Sequence, residues 1–163
     1  MLIGNPDKFA LLLEKVPEWS TSYVNGLLFV MLNGEIYPKT VRTATLNCEL
    51  PELLNENSPF MNPVISWELY YLKSKDLFQR LATMTYPENS EQDNDYHFSM
   101  IALHEIYDSG YCLFIVSNGK NVRIQVGQWE NEELVFIDET EISTEELNEI
   151  QILISEFERD MYF

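Results

Sequence analysis

"YCLFIVSNGKNVRIQVG", Tyr111–Gly127, reads as two apolar strands folded about Asn118-Gly119. Asn-Gly supplies the positive φ values of a tight hairpin turn. A two-residue turn sets Ser117 opposite Lys120. Ile115 then pairs with Val122, Leu113 with Ile124 and Tyr111 with Val126. Those six side chains make one apolar face by alternation. The other face mixes Cys112, Phe114 and Val116 with Asn121, Arg123 and Gln125, and is expected to be partly wet.

Working outward, His97–Tyr107 reads as a preceding strand joined through Asp108-Ser109-Gly110, and Leu134–Ile137 as a short following one. Asn33-Gly34 marks a second hairpin in "GLLFVMLNGEIYP". The first arm of that hairpin is apolar without alternation, as in a strand covered on both faces. Phe9–Val16 reads as a strand stopped by Pro17, and Thr45–Asn57 holds at most a short helix. Ser74 is placed to cap a helix through about Thr83 that carries Leu77, Phe78 and Leu81. Pro87–Asp95 is a polar loop. Ser143 and Glu146 form a capping-box pattern. Beyond it Leu147, Ile150, Ile154, Phe157 and Met161 recur at helical spacing, so the chain ends in an amphipathic helix. The expected fold is α+β: one domain over residues 1–163, an antiparallel sheet of about five to seven strands with helices packed against it.

With 163 residues, 45% of them apolar, the chain can bury a core. The longest apolar run, Leu27–Leu32, is far short of the ~20 residues of a membrane span. The N-terminal stretch lacks a basic n-region, so no signal peptide is expected. Two cysteines, Cys48 and Cys112, make no disulfide framework, and a reduced cytoplasmic protein is the expectation.

Net charge is −17, unevenly spread. Residues 1–81 hold nine acids and seven bases, and residues 82–163 hold eighteen acids and three bases. Such a field repels phosphate backbones and anionic membranes, so neither nucleic acid nor membrane is an expected partner. It attracts a basic protein. Trp129–Glu149 concentrates the effect, with nine carboxylates and neither Lys nor Arg. Glu145 and Glu146 suit a helix's first turn. The acids of Glu130, Glu132, Glu133, Asp138, Glu139 and Glu141 have no such local reason. With Trp129, and with Glu145 and Glu149 on the outer face of the helix, they are the candidate partner-binding residues. The alternative for them is a solvated face. Trp19, Tyr37 and Trp129 lie near loops or strand ends, as core rings or as interface anchors.

Chemistry has little to work with. Acid–base catalysis needs carboxylates paired in a cleft, whereas these crowd on turns and an outer helix face. A nucleophilic Cys112 with His97 or His104 would sit mid-strand in electronegative surroundings, the reverse of what activates a thiol. Cys48, His97, His104 and Cys112 show no zinc-ligand spacing, and on one strand His97 and His104 would point to opposite faces. "DNDYHF" lacks the glycine and glutamate of a calcium loop, having Phe98 and His104 there. "SNGKN" is not a phosphate loop. No catalytic, metal-binding or cofactor-binding residue is assigned.

"IGNPDKFA", "VPEW", "NGLLFVMLNGEIYP" and "HEIYDSGYCLFIVSNGKNVRI" resemble the immunity-42-type family of bacterial polymorphic-toxin immunity proteins. The likeness covers Ile3–Ile124 in patches, on hairpin and strand residues that carry no chemistry. It implies a cytoplasmic antitoxin, as in contact-dependent inhibition systems, that binds the toxic C-terminal domain of its cognate toxin and occludes its active site. Many such toxins are basic nucleases, which suits an acidic partner. The family lends no catalytic motif and no transferable interface residue. Two other readings stay open: a small cytoplasmic enzyme using Cys112 and His104, and an acidic adaptor or nucleic-acid mimic without a toxin.

Overall fold

Asn33 (φ 52°) and Gly34 (φ 82°) both take the left-handed conformation, and Leu32 faces Glu35 across them in the computed structural model. The expected two-residue turn is therefore present. It joins β3 (Asn25–Leu32) to β4 (Glu35–Tyr37). The structure describes residues 1–89 and 91–162, so Ser90 of the polar loop lies outside them. β2 (Phe9–Lys15) pairs antiparallel with the other side of β3 and with β1 (Leu2–Asn5), and β5 (Ala44–Thr45) adds a short pairing to β3. These five strands make the first sheet. α1 (Leu46–Leu53) follows directly from β5 and buries Leu46, Leu50 and Leu53.

α2 (Trp67–Tyr70) and α3 (Ser74–Thr85) come next. Leu77, Phe78 and Leu81 are the buried face of α3 as expected. Its N-cap is Lys73, however, and Ser74 is the first helical residue. The Ser74 hydroxyl is instead turned to Glu139 at 3.2 Å.

The strand expected over His97–Tyr107 does not form. α4 (Tyr96–Ser99) and α5 (His104–Asp108) flank a short extended piece in which Met100 bridges to Phe114. The cause lies elsewhere in the chain. The buried carboxylate of Glu49, on α1, accepts the backbone N–H groups of His104 (2.8 Å) and Glu105 (3.0 Å). That satisfies the free donors at the start of α5 and favours a helical turn there. Burial holds the Glu49 carboxyl above its ordinary pKa.

β6 (Tyr111–Ser117), β7 (Asn121–Glu130) and β8 (Glu133–Ser143) form the second sheet in that order. The register differs by two residues from the sequence expectation: Ser117 faces Val122, Ile115 faces Ile124, Leu113 faces Val126 and Tyr111 faces Gln128. Asn118 explains the longer turn, because its Oδ1 accepts from both Lys120 N (2.9 Å) and Asn121 N (2.8 Å). Gly119 has the expected positive φ (92°), but Asn118 does not share it. A two-residue slip keeps every side chain on its face. Tyr111, Leu113, Ile115, Val122, Ile124 and Val126 thus share one core. The opposite face is dry, not partly wet: Cys112, Phe114 and Val116 pack under α2 and α3, and Arg123 and Gln125 are buried with them.

β8 is longer than the expected Leu134–Ile137 and runs on through its acids to Ser143. Its pairing shifts between Val126–Asp138 and Gly127–Phe136, leaving Ile137 as the extra residue of a β-bulge. Gly127 sits there under the Phe78 ring, where a Cβ would come within 2.2 Å of it. α6 (Thr144–Asp160) is capped by Ser143 with Glu146 at the third position, as the pattern predicts. Leu147, Ile150, Ile154 and Met161 are buried, and Phe157 packs at the edge of the same core. The α+β class and the terminal helix are as expected, with the strands divided between two antiparallel sheets. The first sheet, α1 and α6 cover one face of the second sheet, and α2 and α3 cover the other.

Candidate functional site

The acids of Trp129–Glu149 do not form one surface. β8 carries Glu133, Asp138, Glu139 and Glu141 along its length, about 33 Å from Glu133 to Ser143 at ~3.3 Å per residue. They fall into three groups.

Glu130, Glu132 and Glu133 occupy the β7–β8 hairpin tip and are exposed. Glu130 faces Glu133, and the turn between them is built on Asn131 (φ 50°) and Glu132 (φ 67°). Like charges directly opposite on a hairpin are destabilising, and glutamate is costly at positive φ. Trp129 is 37% exposed and meets the edge of Tyr86 at 5.0 Å.

The middle group is engaged within the fold. Glu139 accepts from Arg123 Nε (3.0 Å) and Nη2 (2.8 Å), from Gln125 Nε2 (2.6 Å) and from Ser74 Oγ (3.2 Å). The sequence placed no base near this acid, but the β7–β8 pairing brings Arg123 to it. Arg123 also donates to the carbonyls of Tyr70 and Leu72. Glu141 accepts from the Tyr70 hydroxyl at 2.5 Å. Burial first, then that carboxylate, holds the Tyr70 phenol well above its ordinary pKa. Asp138 accepts from Asn33 Nδ2 at 3.1 Å, tying the first hairpin to β8.

The third group lies on α6. Glu145 and Glu149 are exposed, with Glu156 and Asp160 further along the helix. Glu146 lies 3.5 Å from Lys8 and also closes the capping box.

Of the aromatic candidates, Tyr37 is core, 3% exposed and edge-on to Tyr111 at 5.2 Å. Trp19 and Trp129 reach the surface. A cluster the sequence reading passed over stands at the other end of the second sheet. Trp67 stacks on Tyr71 at 5.5 Å, and both are more than 60% exposed, as is Ile65. Its signal was the run "ISWELYY", whose rings lie too close in sequence for all to be buried.

The constellations considered for chemistry are not assembled. Cys112 is buried mid-strand, and burial pushes its thiol well above the ordinary value. His104 is exposed on α5, held 2.5 Å from Glu52, which raises its pKa. His97 lies on a separate helix. Among the described residues no group of three or more His, Cys, Asp or Glu side chains could hold a metal ion. Among them, too, no helix is long and apolar enough to cross a membrane.

The geometry defines a small α+β scaffold whose distinctive property is surface charge. The chain belongs to the immunity protein 42 family, whose model matches residues 1–159. No curated protein matches it. Among solved structures, CdiI from Burkholderia dolosa AUO158 shares the fold, with a TM-score of 0.79 and 24% sequence identity over 96% of this chain and 99% of that one. The family resemblance read from the hairpin and strand segments is therefore borne out.

Proposed function

We propose that this immunity protein binds the C-terminal toxin domain of a cognate secreted toxin in the cytoplasm and neutralises it without catalysis, by covering its active site. Membership of the immunity protein 42 family is the observation that carries this reading. The structural neighbour, described as a CdiI, supports a place in contact-dependent inhibition. The charge of −17 favours a basic toxin domain, and a nuclease, which must itself bind polyanions, is the class that fits. Trp129, Glu130, Glu132, Glu133, Asp138, Glu141, Glu145 and Glu149 are the proposed partner-facing residues. Glu139 supports them from within the fold through Arg123.

Co-expression with the cognate toxin domain tests it. Growth should be restored, and the purified complex should lack nuclease activity. Protection should survive Cys112→Ala combined with His104→Ala, apart from the small stability loss of trimming a buried thiol. A folded double variant that no longer protects would overturn the non-catalytic mechanism.

A further inference from the structure

Three segments remote in sequence converge at the hairpin-tip end of the second sheet. The β7–β8 turn brings Glu130, Glu132 and Glu133. Trp129 N donates to Gly110 O (2.9 Å), which fixes the α5–β6 turn and its exposed Asp108 beside the tip. Tyr86, at the end of α3, touches both Trp129 (5.0 Å) and Tyr96 of α4 (5.6 Å), each edge to face. Tyr86 and Tyr96 stand before and after the loop residues 87–89 and 91–95, and Asp95 N donates to Met84 O (3.0 Å). That loop adds Glu88, Glu91, Asp93 and Asp95, all exposed.

The centre of this end is apolar: Tyr96 is 39% and Trp129 37% exposed, with Tyr86 half-buried between them. The segments that meet there (residues 84–89, 91–98, 105–111 and 127–137) bring eight exposed carboxylates and contain no Lys or Arg. Neighbouring bases are already engaged, Lys39 on Glu35 at 2.6 Å and Arg42 on Glu105 at 2.9 Å. A second copy of this chain does not fit here, since it would set eight carboxylates against eight. Nucleic acid is repelled for the same reason.

We propose that this end, with the Tyr86–Tyr96–Trp129 rings as its centre and the loop residues 87–89 and 91–95 as half of its rim, is the docking surface for the basic toxin domain. The proposal rests on the immunity reading above and assigns the surface within it. Lysine and arginine side chains of the partner would lie over the exposed ring faces while the rim carboxylates steer the encounter. Rings at the desolvated centre set the lifetime of the complex. Rim charges set its on-rate and salt dependence.

Association of the purified toxin domain with the full chain, followed at low and physiological salt, tests it. A loop variant, Glu88→Gln, Glu91→Gln, Asp93→Asn and Asp95→Asn, should lower the low-salt on-rate by about tenfold or more and flatten its salt slope. Tyr96→Ala should speed dissociation by at least roughly tenfold, an effect of ~1.4 kcal/mol or more. An equally discharged control variant outside the proposed partner-facing residues, Glu18→Gln, Glu56→Gln, Glu156→Gln and Asp160→Asn, all exposed, should leave both rates close to wild type. Wild-type rates in the loop and Tyr96 variants, or an equal loss from the control variant, would overturn this surface while the immunity reading stands. Failure of the wild-type chain to bind the toxin domain would overturn both.

Discussion

The two ends of the second sheet are built from the same kinds of residue and behave differently. At the turn end, Ile65, Trp67 and Tyr71 are exposed, but acids there are paired with bases. Arg123 holds Glu139 and the carbonyls of Tyr70 and Leu72, and Arg80 lies 3.6 Å from Glu68. At the tip end the rings are less exposed and touch one another, and every charged side chain on the converging segments is a carboxylate. An acid beside a buried arginine holds the fold together; an acid beside other acids stores repulsion that a cationic partner relieves. Sequence position alone does not separate the two, since Glu133 and Glu139 lie six residues apart on one strand.

The largest expected effect breaks the turn end. Arg123→Ala removes the cation from a nearly buried pair and leaves Glu139 uncompensated. Breaking such a pair costs about 3–5 kcal/mol. Denaturant unfolding should show that loss, and a cost under ~1 kcal/mol would mean that the network does not hold this end.

At the tip the expected change has the opposite sign. Glu132→Gly relieves a left-handed glutamate and one of the crowded carboxylates, and should stabilise the free protein by roughly 1 kcal/mol. An unchanged or lowered melting temperature would show that the tip carries no strain.

The smallest effect lies away from both ends. The Glu52 hydrogen bond raises the pKa of His104 above its ordinary value. A raised histidine contributes stability that is fully present below about pH 6.5 and fades as pH rises through the raised value. The advantage of wild type over Glu52→Gln should therefore be greatest in mild acid and disappear at alkaline pH, small throughout because the pair is exposed to solvent. A difference that grows with pH would contradict the pairing.

Local rules made much of this fold legible. Asn33-Gly34, the Ser143–Glu146 cap and the Leu147-to-Met161 stripe all depend on neighbours within one turn, and all hold. Long-range partners changed the rest. Glu49 started a helical turn at His104, inside a segment that reads as a strand. The β7–β8 turn was hidden because Asn131-Glu132 lacks the glycine its conformation favours. For the surface, the acids of the hairpin tip could be read from the sequence. That Glu88, Glu91, Asp93 and Asp95 join them could not, because the link is a contact between Tyr86 and Trp129.

The scarcity of bases around the tip also governs its chemical visibility. Trypsin finds no Lys or Arg after Arg80 until Lys120, and none after Arg123 until Arg159. The tip therefore travels in two long peptides that resist digestion even when the hairpin opens, and amine-directed labels pass it by. Carbodiimide treats it in the opposite way: it activates the tip carboxylates, while the converging segments offer no amine of their own. An amide bond from Glu91 or Glu130 to a toxin lysine would record the contact in a single covalent product.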